Sequence, residues 1–409
     1  MTPLTPPRRA WLAAAVLVTA GWVAGCAPDA PTPDSGDREP VWPGEEWPVS
    51  TPEAEGLDPA AIDSLIADID AGRFGLIDHL LLIRRGHVIA DRHWDHGEEY
   101  ARILAEQEDT VSHPYNYDHP DWHPYYRDTG LHTLQSVTKS VTSVAFGIAV
   151  DAGHIDGVDA PAWPFLAAYG PDLDEPMRAS ATLEDFLTMR SGIDWAIPGQ
   201  TYADDTHPTS ELEASQAWID YVVRRPVGTE PGTRFDYNDG VSVLLGKILR
   251  EATGQRADAW AEEHLFRPIG IRDYYWKITP DGEADTEGGL YLAPHDLARI
   301  AYLMLRGGEW DGRRIVSREW VRASTSPVIP DLNPGNDRDD GGYGYQWWVP
   351  FHEDGETRVF SGNGYGGQFL HVVPEHDLIV LFNGWTLHTG AEFSSWTALQ
   401  DRILPAIRD

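Results

Sequence analysis

Apolar positions along this chain follow two different spacings. "HLLLIRRGHVIADRHW" has two β-rich runs around a central "RRGH" and predicts a hairpin. Near the other end, "YGYQWWVPF", "RVFSGNG", "GQFLHVVP" and "DLIVLFNGW" also read as strands. Between these ends the spacing turns helical. "LDPAAIDSLIADIDAG" predicts a helix, with Asp58 as N-cap before Pro59. From Ser136 to about Asp151, Val137, Val141, Val144, Ala145 and Ile148 share one helical face, and Gly153 suits the stop. Residues 156–280 are mainly helical and rich in loops. "APHDLARIAYLMLRGG", "SREWVRAST" and the closing "FSSWTALQDRILPAI" resume the helical pattern. The simplest arrangement is α+β: an antiparallel sheet built from both ends of the chain, flanked by helices, with a mainly helical insertion over about 156–280.

Composition bounds this picture. With 409 residues, 42% hydrophobic, the chain has room for a large core. Its formal net charge of −34 repels nucleic acid and anionic lipid headgroups, which excludes both as partners. The sole cysteine, Cys26, precludes an internal disulfide.

The N-terminus reads as an address. Arg8 and Arg9 precede the short apolar stretch "WLAAAVLVTAGWVAG", which ends at Cys26. This resembles a bacterial lipoprotein signal peptide over residues 1–25, cleaved before a cysteine that becomes lipidated. The expectation is export, with a lipid anchor on Cys26 holding the protein at the cell envelope. Residues 26–47, rich in Pro and acids, read as a solvated tether, and 48–409 as the folded domain.

Only three of the 31 basic residues are Lys: Lys139, Lys247 and Lys277. Arg stays protonated, whereas a desolvated Lys can lose its proton and act as a base. Lys139 stands three residues after Ser136 in "QSVTKSVTS", so the two side chains meet on one helix face. The helix start supplies N–H groups for an oxyanion. Burial is expected to lower the pKa of Lys139 and make it the base for a nucleophilic serine.

A serine at a helix start is more often a simple cap, so the pair needs companions. Tyr237, in "RFDYNDG" before a second apolar-faced helix, can relay a proton to a leaving group. The Gly-rich "FSGNGYGGQF" marks a strand whose backbone closely approaches a neighbour. Other patterns carry nothing. "GVSVLLGKI" has five residues between its glycines where a phosphate loop needs four, and neither a G-x-S-x-G elbow nor an H-E-x-x-H helix occurs. His113, His119, His123 and His132 lie in an aromatic, Pro-rich loop without helical spacing. That loop is expected to line the substrate cleft, with Tyr115, Tyr117, Trp122 and Tyr125 as contacts, and no metal is expected.

The order "SVTK", "YND", Gly-rich strand resembles the serine β-lactamase and DD-peptidase superfamily. It is most similar to the class C β-lactamase branch, which includes esterases and 6-aminohexanoate-dimer hydrolases. The stretches "TMRSGIDW", "GGLYLAPHDLARIAYLMLRGG" and "GYGGQFLHVVPEHDLIVL" agree, and the resemblance spans roughly residues 48–405. It implies a β-lactamase/transpeptidase-like fold, Ser136 as acylated nucleophile, Lys139 as base and Tyr237 as proton relay. It also implies an oxyanion hole from the N–H groups of Ser136 and Gly364. Asp239, Asn363, Tyr365, Trp122 and Tyr125 are the candidate substrate contacts. Two departures stand out. Asp239 replaces the usual Asn of Y-x-N, and Ser361-Gly362-Asn363 replaces the K-T-G whose lysine anchors a β-lactam carboxylate. An ester or amide hydrolase fits better than a β-lactamase or DD-peptidase, acting on a small-molecule ester, amide or peptide. It needs no cofactor and is expected as a monomer. The second reading is a penicillin-binding-type protein that captures peptidoglycan peptide or β-lactam without efficient turnover.

Overall fold

The computed structural model describes residues 39–106, 130–195, 204, 206–330, 332, 341–350, 357–386 and 390–408. They belong to a single compact unit over Ser35–Asp409. The predicted hairpin is present as β1 (Ile77–Arg84) and β2 (His87–His93). The C-terminal strands are β3 (Gly342–Tyr343), β4 (Trp348–Val349), β5 (Phe360–Gly364), β6 (Gln368–Val373) and β7 (Leu378–Gly384). They form one seven-stranded antiparallel sheet in the order β2-β1-β7-β6-β5-β4-β3. β1 pairs with β7, from Ile77 opposite Gly384 to Arg84 opposite Leu378, so the two ends of the chain close the sheet.

Alternation along the central strands shows why those runs are almost wholly apolar. Leu80 and Leu82 of β1, with Leu378, Val380 and Phe382 of β7, join one core. That core is covered by α1 (Pro59–Asp70) and the C-terminal helical segment. Leu81, Ile83, Ile379 and Leu381 face the other, larger core. A period of two carries side chains to opposite faces, and here both faces are buried. Asp58 caps α1 as expected, accepting from the N–H of Ala60.

The larger core surrounds α2 (Val137–Asp151), in which every residue from Val137 to Ala149 is buried. A helix enclosed on all sides explains why its polar residues are shared with neighbours rather than solvent. The helices of 156–280 pack around it, including α3 (Asp239–Thr253), which ends at Gly254 with φ of 76°. α4 (Pro294–Leu305) covers the sheet near β1.

Three expectations change. "YGYQWWVPF" is a tight hairpin, not one strand, because the backbone reverses at Gln346 with φ of 61°. Its buried amide binds Leu187 O and Ser242 Oγ, while its own carbonyl accepts from Ser140 Oγ. The closing helix starts at Ser395 but passes through a π turn and a 3-10 turn, since Pro405 cannot continue an α-helix. Residues 41–47 are not a solvated tether. Trp42 and Trp47 pack edge-on against Tyr302 of α4, and Tyr302 and Arg299 donate to the carbonyls of Val41, Gly44 and Glu45. Two indoles seeking apolar cover outweigh the Pro and acid content around them. Residues 26–38, Cys26 included, lie outside the described residues.

Candidate active site

A three-stranded ribbon aims the nucleophile. His132–Thr133 pairs with Leu290–Leu292, which pairs in turn with Tyr275–Trp276. The chain then bends sharply, with Gln135 at φ of 47°, and enters α2. A side chain held in the left-handed region is a strained arrangement of the kind found at reaction centres. Ser136 occupies the N-cap position, yet its hydroxyl makes no cap hydrogen bond. Among the described residues its N–H has no carbonyl partner.

The freed hydroxyl accepts from Lys139 Nζ at 2.9 Å. The same ammonium donates to Glu287 O at 2.6 Å and meets Asp239 Oδ1 at 2.7 Å. Three acceptors thus surround the three N–H groups of a fully buried lysine. Burial alone would lower its pKa, but the Asp239 carboxylate foremost overrules burial and holds it well above the ordinary value. This reverses the expectation that desolvation would free Lys139 as a base. The sign changes because Asp239 stands where the related motif carries a neutral Asn. Asp239 is correspondingly a counter-ion more than a substrate contact. Its other oxygen accepts from Thr209 Oγ1 at 2.6 Å, although the residue still forms part of the cavity wall.

Tyr237 precedes α3, whose N-cap Asn238 accepts from the N–H of Val241. Its ring centroid lies 5.2 Å from Lys139 Nζ, and it shares the cavity wall with Ser136. Burial pushes its phenol up, Lys139 opposes that, and the net effect is upward, so it rests as the neutral phenol. Its ring stacks on Trp348, 5.5 Å between centroids at 24°. Burial, with Asp285 and Asp239 nearby, also raises the Glu287 carboxyl well above the ordinary carboxylate range.

The Gly-rich strand approaches as its composition implied. A Cβ on Gly364 would lie 2.4 Å from Leu134 O, and one on Gly362 2.9 Å from Val137 Cγ1. Only bare backbone lets β5 sit this close to the nucleophile turn. Ser136, Tyr237, Asp239, Trp348, Asn363, Gly364 and Tyr365 line a cavity of about 200 Å³. Of the candidates, Ser136, Lys139, Tyr237, Asp239, Asn363, Gly364 and Tyr365 are therefore brought together. Trp122 and Tyr125, like Tyr115, Tyr117, His113, His119 and His123, lie outside the described residues. His132 faces away from this cavity and hydrogen-bonds with Asp78 at 2.9 Å. Ser361, at the place of the anchoring lysine, is tied to His371 Nδ1 at 2.7 Å.

Residues 63–400 match the family described as Beta-lactamase. The chain belongs to the β-lactamase family. It is 28% identical over 292 residues to the 6-aminohexanoate-dimer hydrolase of Paenarthrobacter ureafaciens, covering 67% of this chain and 70% of that protein. Against esterase EstB of Burkholderia gladioli it is 29% identical over 229 residues, 54% of this chain and 55% of the esterase. The octameric penicillin-binding protein homologue from Pyrococcus abyssi shares the fold, with a TM-score of 0.60 at 19% identity, covering 86% of this chain and 79% of that one. Within this β-lactamase family the chain is a serine hydrolase, amidase or esterase.

Sequence reasoning missed Trp348, Thr209 and Glu287. Trp348 was hidden in an aromatic run read as one strand. Glu287 carried a usable signal: "EADTEGG" holds three acids directly before an apolar strand, where solvated acids are not expected.

Proposed function

We propose that this β-lactamase-family protein cleaves an ester or amide through an acyl-enzyme on Ser136. The observation that carries the reading is Lys139 Nζ at 2.9 Å from Ser136 Oγ, at a cavity that Tyr237 and Gly364 also line. Lys139 acts as an ammonium, steadying negative charge as it develops on Ser136 Oγ. Ser136 Oγ attacks the carbonyl carbon and gives its proton to the Tyr237 hydroxyl, which passes its own proton to the leaving oxygen or nitrogen. The oxyanion is received by the N–H groups of Ser136 and Gly364. Collapse expels the alcohol or amine. Water then attacks the ester on Ser136, and the relay runs backwards to restore the serine hydroxyl.

The cavity favours an uncharged acyl donor. Trp348, Tyr237 and Tyr365 give it aromatic walls, and neither Lys nor Arg is among its described lining residues. Asn363 Oδ1 is buried without a hydrogen-bond partner, so this amide is available to a substrate polar group. The relatives named hydrolase of an aminohexanoate dimer and esterase are in keeping with that. At the N-terminus, the basic residues, the apolar stretch and Cys26 support export and lipid anchoring at the envelope. Detergent-phase partitioning abolished by Cys26→Ser is the expected result. No helix among the described residues is long and apolar enough to cross a membrane.

The activity is tested with three chromogenic substrates: a short-chain ester, a linear aliphatic amide and a cephalosporin. Expected is turnover of the ester or amide above the cephalosporin, lost in Ser136→Ala. A stoichiometric adduct without turnover of any of the three would contradict it.

A further inference from the structure

A second group of polar side chains gathers at the β2 edge of the sheet, sharing no residue with the cavity at Ser136. His79 of β1, Asp91 of β2 and His295 of α4 converge on one point. His79 Nε2 lies 2.7 Å from Asp91 Oδ1, and His295 Nε2 lies 2.8 Å from Asp91 Oδ2. One nitrogen from each imidazole and one carboxylate oxygen all fall within 4.8 Å of one another. The rings of His93 and His295 stand 6.1 and 6.3 Å from that of His79.

The residue types are the informative part. Many surface carboxylates pair with Arg, as in Asp220–Arg224, Glu262–Arg267 and Glu309–Arg314. Asp91 instead receives two imidazoles. An imidazole offers a lone pair to a cation, and a guanidinium does not. The three groups are also held by rigid parts. β1 and β2 are paired from His79–His93 to Arg84–His87, and the backbone of His295 is fixed by Trp47 Nε1 donating to its carbonyl. A tetrahedral zinc ion with bonds of about 2.0–2.1 Å sets its ligand atoms roughly 3.3 Å apart. Asp91, 39% exposed, has the freedom to open its two contacts to that distance. The neighbouring Asp78 is not a competitor, because His132, His96 and Tyr100 already engage its carboxylate.

We propose that His79, Asp91 and His295 bind a divalent first-row transition ion of the zinc class. The ion ties the β1–β2 hairpin to α4 and leaves a fourth position for water. The strongly anionic chain raises the local cation concentration around it.

The test is zinc chloride titrated into untagged, metal-stripped protein, with bound zinc counted by mass spectrometry of the metal and the thermal midpoint recorded alongside. Expected is one zinc per chain, a raised midpoint, and affinity reduced at least about tenfold in both Asp91→Asn and His295→Ala. His295 is 42% exposed, so its variant folds and decides the matter alone if the other does not. Failure of the protein to take up zinc at micromolar concentration would overturn the proposal. So would stoichiometric uptake that survives His295→Ala.

Discussion

Asp239 Oδ1 stands 2.7 Å from Lys139 Nζ, and Ser136 Oγ stands 2.9 Å from the same nitrogen. The carboxylate keeps the lysine charged, and the charged lysine holds the serine. Replacing Asp239 by Asn removes the strongest influence raising the Lys139 pKa. If catalysis needs the ammonium, the alkaline limb of kcat/KM moves to lower pH in Asp239→Asn, by about one unit or more. If Lys139 were instead the general base, the acid limb would move down and alkaline activity would persist. A pH–rate profile of the two proteins separates the cases.

The same pair governs stability. Lys139→Ala removes the cation 2.7 Å from buried Asp239, and uncompensated buried charge costs about 3–5 kcal/mol. Lys139→Met combined with Asp239→Leu should recover much of that loss while remaining inactive. Urea unfolding of the single and double variants measures it. Equal destabilisation in both would contradict the account.

Gly364 and Gly362 differ in what their missing side chains would strike. At Gly364 the obstacle is the Leu134 carbonyl oxygen, which is fixed backbone, whereas at Gly362 it is the end of a valine side chain. Gly364→Ala is therefore expected to lower kcat by about 10²–10³-fold, on the scale of a lost oxyanion donor. Gly362→Ala should cost clearly less. Steady-state kinetics with the chromogenic ester compare them.

His371, buried between Ser361 and Ser395, has its pKa pushed down by desolvation to about 3. The unfolded chain protonates this imidazole near pH 6.5 and the folded one does not. Its contribution is thus fully present above pH 6.5 and is lost as pH falls towards 3, on the order of 5 kcal/mol in all. His371→Gln, which cannot titrate, should show a shallower loss of stability over that window. Acid unfolding curves of both proteins check this.

Much of the fold was legible because its strands obey a period of two and its long helices a period near 3.6. β1, α1 and α2 appear where their apolar residues place them. The Ser136–Lys139 pair was legible because lysine is scarce here and three residues bring side chains together on a helix. The protonation of Lys139 was not legible, since it depends on Asp239 and Glu287, which are distant in sequence and become neighbours only on folding. Trp348 was hidden for a related reason. Its role comes from a hairpin turn at Gln346, and a left-handed Gln gives no compositional warning. Trp42 and Trp47 were masked by surrounding Pro and acids, although an indole seldom stays in solvent when a tyrosine face is within reach.

The most direct test is to quench the protein in acid during turnover of the short-chain ester, then digest and map it by mass spectrometry. The account predicts one acyl group, located on Ser136, absent from Ser136→Ala and increased when deacylation is slowed. Steady turnover with Ser136 unmodified, or an acyl group on another residue, would contradict it.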